Sequence, residues 1–185
     1  MDELVDILDS EGKATGKTCM KSEAHAKGLW HPCVNVWLYT KQGEVLIQKR
    51  VASKKEFPNT WDVSVAGHIG AGEDVLLAAQ REVEEEVGFY IEPNDLTFIG
   101  NYSTDFKHRK DYIDREYHYL YVVELNISIQ QLKIQVEEVV EIKLIPISEL
   151  VNKLESKTNT FNFVPYPSDY FKLVFDSIHS KILQS

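Results

Sequence analysis

Residues 67–89 read GHIGAGEDVLLAAQREVEEEVGF. Gly67, Gly70 and Gly72 make the first part a loop, and a helix is expected from about Glu73 to Val87. Its apolar stripe, Leu76, Ala79, Val83 and Val87, has helical spacing, and Gly88 is placed as its C-terminal stop. On this helix Glu82, Glu85 and Glu86 stand at i, i+3 and i+4, so their carboxylates share one face. With Val83 set at 0°, they fall near 200° to 300°, beside the core stripe, at about 100° per residue. Like charges at this spacing cost roughly 0.2–0.5 kcal/mol per pair, and Arg81 is the one cation among them. Such oxygen ligands suit Mg²⁺ or Mn²⁺, with water and substrate phosphate completing the coordination. A solvated acidic face is the alternative for a bare run of glutamates. The glycine-bearing loop before this run and the glycine after it favour the site.

Working outward, Leu4 to Leu8 reads as a short strand and Ser22 to Lys27 as a short helix closed by Gly28. Strands Cys33 to Tyr39 and Glu44 to Lys49 flank a turn at Lys41–Gly43, and another strand lies around Trp61 to Ala66. Downstream, strands are expected at Leu96 to Tyr102, Glu116 to Glu124 and Val139 to Ile145, and helices at Ile147 to Leu154 and Pro167 to Leu183. This order of mixed α and β elements predicts a sheet packed between helices. With no repeat, low-complexity tract or linker, residues 1–185 are expected to form one domain: 1–30 as an N-terminal strand and turn extension, 67–89 as the loop-helix, and 167–183 as the C-terminal helix.

Composition narrows the function classes. The 185 residues carry 29 Asp+Glu against 20 Lys+Arg, a net charge of −9. Acidity of this kind argues against a nucleic-acid polymer as partner, because backbone binding needs a basic surface. A small diphosphate ligand needs only a few local cations. No run of about 18 apolar residues is present to span a bilayer, and the acidic start does not read as a secretory signal. Cys19 and Cys33 form no metal-type spacing or disulfide framework. A cytoplasmic setting is therefore expected.

The segment resembles the Nudix box, G-x5-E-x7-R-E-U-x-E-E-x-G-U, with U aliphatic or bulky apolar. Gly67, Glu73, Arg81, Glu82, Val83, Glu85, Glu86, Gly88 and Phe89 fill all its specified positions. The resemblance implies a Nudix-type α/β/α sandwich with a mixed β-sheet and pyrophosphohydrolase chemistry, in which water attacks a diphosphate linked to another group. It implies Glu82, Glu85 and Glu86 as ligands of Mg²⁺ or Mn²⁺ and Glu82 or Glu85 as the base. Arg81 and Glu73 become a pair that orients the ligands, with Gly67 and Gly88 structural. The metal would neutralise phosphate oxygens and lower the pKa of bound water.

From about Lys21 to Phe89 the chain is similar to the branch that includes isopentenyl-diphosphate isomerases. The pieces are Lys21…Ala24-His25, Leu29-Trp30-His31, Gln48-Lys49-Arg50, Ser53-Lys54-Lys55, Pro58…Trp61 and Ala66-Gly67-His68. The resemblance makes His25, His31 and His68 a candidate second metal site, against a capping or packing role for them. It also points to Asp114 and Glu116, at the head of a strand, as carboxylates of a metal and acid/base site, with Glu137 and Glu138 a weaker alternative. Arg50, Lys54, Lys55 and Lys21 are the expected phosphate contacts, Arg as a planar fork and Lys as a point charge. Two departures separate the chain from the isomerases: Ala66 stands where they have an essential cysteine, and the box here is complete where theirs is eroded. Moving protons on an unactivated alkene needs a positioned acid and base, and an alanine methyl supplies neither.

These readings favour a Mg²⁺- or Mn²⁺-dependent hydrolase of a nucleoside-diphosphate-type small molecule. Isopentenyl-diphosphate isomerase and a non-catalytic nucleotide- and metal-binding module are the alternatives. A homodimer is the default assembly.

Overall fold

The segment His31–Tyr39, HPCVNVWLY, shows why the chain forms two packed layers around a sheet. Its even-numbered residues Val34, Val36 and Leu38 pack with Ala78, Ala79, Val83 and Val87. Its odd-numbered Trp37 and Tyr39 pack instead with Tyr170, Phe171, Val174, Phe175 and Ile178. Side chains of a strand alternate faces, so one strand supplies both cores. In the computed structural model, which describes residues 2–156 and 161–184, this strand is β3.

The strands are β1 (Leu4–Leu8), β2 (Ala14–Met20), β3 (His31–Tyr39), β4 (Glu44–Arg50), β5 (Trp61–Asp62), β6 (Val65–His68), β7 (Thr97–Arg109), β8 (Tyr112–Glu124) and β9 (Val139–Pro146). The helices are α1 (Lys21–Lys27), α2 (Val75–Val87), α3 (Ile147–Glu155) and α4 (Ser168–Gln184). Strands β1 and β2 form a separate antiparallel hairpin. The main sheet runs β5-β4-β3-β8-β7, with β6 joined to β3 and β9 to β4. It is mixed, because β3 and β8 are parallel and the other pairs are antiparallel. With α2 on one face and α3 and α4 on the other, the α/β/α expectation holds.

Beyond shifts of one or two residues at element ends, such as α2 starting at Val75 and β3 at His31, three local differences stand out. Ala14–Met20 is a strand with little apolar content, formed because its backbone pairs with β1. Residues 103–115, between the expected strands Leu96 to Tyr102 and Glu116 to Glu124, instead extend both strands into one long hairpin in which Thr104 stands opposite Glu116. The expected strand Trp61 to Ala66 is divided into β5, which pairs with β4, and β6, which pairs with β3. This change of partner carries Ala66 and His68 onto the central strand. Among the described residues, no helix is long and apolar enough to cross a membrane.

Candidate active site

The box helix is set in place by its ends. Asp74 caps α2, its side chain accepting from the backbone N–H of Leu76 (2.9 Å) and Leu77 (3.1 Å). Gly88 ends the helix in the left-handed conformation at φ 63°, where glycine avoids the cost borne by other residues. The core stripe then turns Glu82 and Glu86 inward, and both are buried, while Glu85 stays exposed. Gly67 on β6 lies directly under Glu82, and a Cβ there would overlap the carboxylate.

Arg81 binds the loop to the helix. Its Nε and Nη2 donate to the two oxygens of Glu73 at 2.8 and 3.0 Å, and Nη1 donates to Glu82 at 2.7 Å and Glu85 at 3.2 Å. Nη2 also donates to the carbonyl of His68 at 3.1 Å. Glu73 accepts from the Gly70 N–H at 2.8 Å as well, and the Arg81 hydrogen bonds hold its carboxyl below the usual range. Burial pushes Glu82 up, with Arg81 opposing. Glu86 accepts from Gln48 Nε2 at 2.8 Å and from the Ala66 N–H at 3.4 Å, yet burial and the neighbouring Glu82 push it up to about 8. Two inward carboxylates with this little compensation are suited to a cation, which would reverse the penalty for their ionisation.

A second cluster forms on the other side of β6. Residues 31, 33 and 35 share the odd-numbered face of β3, and β8 runs parallel with Glu116 opposite His31 and His118 opposite Cys33. On β6, His68 pairs with Cys33 and Ala66 with Asn35, so their side chains share that face, beyond the part covered by α4. α1 adds His25. One ligand atom from each of His25, His31, His68 and Glu116 lies within 4.8 Å of the others. The Nε2 atoms of His25, His31 and His68 and Oδ1 of Asp114 are buried without a hydrogen-bond partner. His31 Nδ1 sits 3.0 Å from the Leu29 carbonyl, an acceptor only, so Nδ1 carries the hydrogen and Nε2 offers a lone pair. His25 Nδ1 is anchored by the Tyr112 hydroxyl at 2.8 Å. Such outer contacts are how metal-binding imidazoles are oriented. Burial and the neighbouring His68 push His31 down to about 4, which keeps it in the neutral, ligating form. Burial pushes Glu116 up, but the surrounding imidazoles of His68, His118 and His31 outweigh it and hold it well below the usual range. These residues fit a divalent ion.

The expected phosphate contacts separate. Arg50, Lys54 and Lys21 line the same cavity of ≈ 100 Å³ as His25, His68 and Glu116, whereas Lys55 is exposed and does not line it. Arg50 is also bound internally, Nη1 donating to Asp62 at 2.9 Å and Nε to the Glu56 carbonyl at 3.2 Å. Lys54 pairs with Glu138, and Lys21 with Glu3 at 3.3 Å. The backbone of 133–138 hydrogen-bonds to the end of α2, through Lys133 N–H to Val87 O and Gln135 N–H to Glu86 O, both 2.9 Å. This brings Glu138 to Lys54.

Sequence reasoning missed Cys33, Asn35, Asp62, His118 and Tyr166. Asn35 donates to Tyr170 Oη at 3.0 Å and Tyr166 Oη at 3.4 Å, and Tyr166 donates to Asp62 at 3.3 Å. The signal that could have found part of this set was polar periodicity: His31, Cys33 and Asn35 interrupt an apolar strand at every second position.

A model of the NUDIX domain matches residues 29–166. The chain belongs to the Nudix family. It is 32% identical to an uncharacterized Nudix hydrolase of Clostridium acetobutylicum over 96% of this chain and 97% of the relative. It is 33% identical to the isopentenyl-diphosphate Delta-isomerase of Serratia proteamaculans over 66% of each chain. Among solved structures it shares its fold with DR0079 of Deinococcus radiodurans, with a TM-score of 0.65 at 19% identity, covering 93% of this chain and 97% of that one. Within the family it is a hydrolase of pyrophosphate bonds, on the branch that also holds the isomerases.

Proposed function

We propose that this hydrolase depends on Mg²⁺ or Mn²⁺ and cleaves the diphosphate of a small nucleoside-diphosphate-type molecule. The observation that carries this reading is the burial of Glu82 and Glu86 beside Gly67 and the Ala66 N–H. Glu82, Glu86 and the rim carboxylate Glu85 would hold the ion. When bound, a divalent ion supplies charge neutralisation of the phosphate oxygens and a lower pKa for attacking water. Arg81 holds Glu82 and the His68 carbonyl in register, so the carboxylates need no reorganisation. Lys21, Arg50 and Lys54 bring positive charge to the cavity that receives the diphosphate, and exchange their present acidic partners for phosphate oxygens. Glu82 or Glu85 accepts the proton of the attacking water, and Glu116 is a further carboxylate, lining that cavity. His25, His31 and His68, with Glu116, form the second metal site.

The test is release of a monophosphate from a panel of nucleoside diphosphate compounds with Mg²⁺, with and without Glu86→Gln. A fall in turnover of about 10²-fold or more is expected, in line with loss of charge stabilisation at a reacting centre. Unchanged turnover would overturn the assignment.

The retained histidine cluster favours one second reading, isopentenyl-diphosphate isomerase. Ala66 leaves it without a thiol at the position where that reaction needs one. Conversion of isopentenyl to dimethylallyl diphosphate would establish it in place of the hydrolase.

A further inference from the structure

Asn35 is a polar group of the cavity wall that neither reading uses. It stands in the middle of β3, is 1% exposed, and lines the same cavity as Arg50 and Lys54. Its neighbours across the sheet, Ala66 on β6 and Leu120 on β8, carry no polar side-chain atom.

The surrounding hydrogen bonds fix which way its amide points. Asp62 Oδ1 accepts from the Val63 N–H at 2.8 Å and Oδ2 accepts from Arg50 at 2.9 Å, so the Tyr166 hydroxyl is the donor in its 3.3 Å contact with Oδ1. Burial raises Tyr166 well above the usual phenol range, which keeps that hydrogen in place. With its one hydrogen used, Tyr166 can only accept from Asn35, and the atom facing it at 3.4 Å is therefore Nδ2. Nδ2 also donates to the Tyr170 hydroxyl at 3.0 Å. Both amide hydrogens are thus spent inside the protein, and Oδ1 is buried without a hydrogen-bond partner among the described residues. The other such atoms on this cavity wall, on His25, His68 and Asp114, belong to the histidine cluster. Phosphate oxygens are acceptors as well, so Oδ1 repels a diphosphate; what it lacks is a donor.

We propose that Asn35 is a specificity-determining residue: its Oδ1 accepts a hydrogen bond from a hydroxyl on the group that the diphosphate carries, so the substrate is a sugar- or nucleoside-containing diphosphate and not a hydrocarbon one. The proposal rests on the pyrophosphohydrolase reading and narrows it. A sugar hydroxyl satisfies the buried acceptor, whereas an alkyl or alkenyl group shuts it off from water and gives nothing in return. Sites built around such a bond discriminate strongly against the analogue that lacks it. The methyl of Ala66 beside Asn35 takes up little of the space the hydroxyl needs.

The test compares hydrolysis of ADP-ribose, UDP-glucose and isopentenyl diphosphate with Mg²⁺, in the parent and in Asn35→Leu, which keeps most of the volume and removes the amide. The parent is expected to favour the better of the two sugar compounds over isopentenyl diphosphate by about 10²-fold or more in kcat/KM. Asn35→Leu should cut kcat/KM for that sugar compound at least about tenfold and leave isopentenyl diphosphate hydrolysis unchanged, with Asn35→Ala as a second variant should leucine disturb the fold. Tyr170→Phe removes one partner of Nδ2 but keeps Oδ1 and Tyr166, so it should retain the parent's preference; a purely structural role would make the two variants alike. Kd values of the same compounds in Glu86→Gln protein, with and without Asn35→Leu, read the preference without turnover. A sugar-to-hydrocarbon ratio that Asn35→Leu leaves unchanged, or a parent that prefers isopentenyl diphosphate, would overturn the proposal and leave the hydrolase reading standing. Failure to release monophosphate from any diphosphate compound would overturn the hydrolase reading, and the Kd ratio then decides the role of Asn35 by itself.

Discussion

Gly67 and the Glu82 carboxylate share one small space: the hydrogen of the glycine faces the carboxyl group, where any side chain would collide with it. Because Glu82 is also held by Arg81 at 2.7 Å, an added methyl pushes the carboxylate away from its partner. Gly67→Ala should therefore leave the fold nearly intact, since the obstructed atoms end a flexible side chain, while turnover falls. Circular dichroism and Tm close to the parent's, with kcat/KM reduced about tenfold or more, are the expected results; an unchanged kcat/KM would refute this role for Gly67. A displacement near 1 Å at a reacting centre can cost about 10²-fold.

Burial ranks the three box glutamates. Glu82 and Glu86 are buried and Glu85 is exposed. Single Glu→Gln changes at positions 82 and 86 should raise the Mg²⁺ concentration needed for half-maximal rate more than the same change at Glu85. An equal effect at all three would contradict the geometry.

Arg81 acts as a fork, with two nitrogens on Glu73 and a third on Glu82 and Glu85. Lysine keeps the charge but cannot span these acceptors. Arg81→Lys is expected to lower stability by about 1–2 kcal/mol, the scale of lost charge-assisted hydrogen bonds, and to lower kcat more than it raises KM. Denaturant melts and steady-state kinetics check both parts.

Metal binding to the native state adds stability in proportion to occupancy, about 2.7 kcal/mol at a free ion concentration of 100 Kd. Zn²⁺ added to chelator-treated protein should raise Tm, and His31→Ala should remove most of that rise. Equal rises in parent and variant would mean that the buried Nε2 of His31 is not a ligand.

Tyr170 is buried, and its hydroxyl accepts from Asn35 Nδ2 and Trp37 Nε1, both at 3.0 Å. Tyr170→Phe strips both donors of that partner. A loss of about 1–3 kcal/mol in urea unfolding is expected, the cost of buried polar groups left unsatisfied. A neutral result would show that water or a shifted side chain replaces the hydroxyl.

Long-period patterns were legible in the chain and short polar ones less so. The stripe Leu76, Ala79, Val83 and Val87 marked the box helix, and the α/β order marked a covered sheet. The hairpin strand Ala14–Met20 and the continuation of β7 and β8 through residues 103–115 were hidden, because their residues are mostly polar and their strand state comes from a partner's backbone.

The sequence by itself determined the box: its spacing on a 3.6-residue helix dictates which carboxylates share a face, and Gly88 dictates where that helix stops. It also named His25, His31 and His68 as a candidate set. Only the tertiary structure decided that Glu116 converges on them, that Cys33 touches it, and that Arg50 and Lys54 already hold acidic partners while Lys55 faces outward. The physical reason is strand register. Residues 31 and 116 meet because β3 and β8 run parallel in one particular alignment, and that alignment follows from burying apolar residues on both faces of the sheet at once.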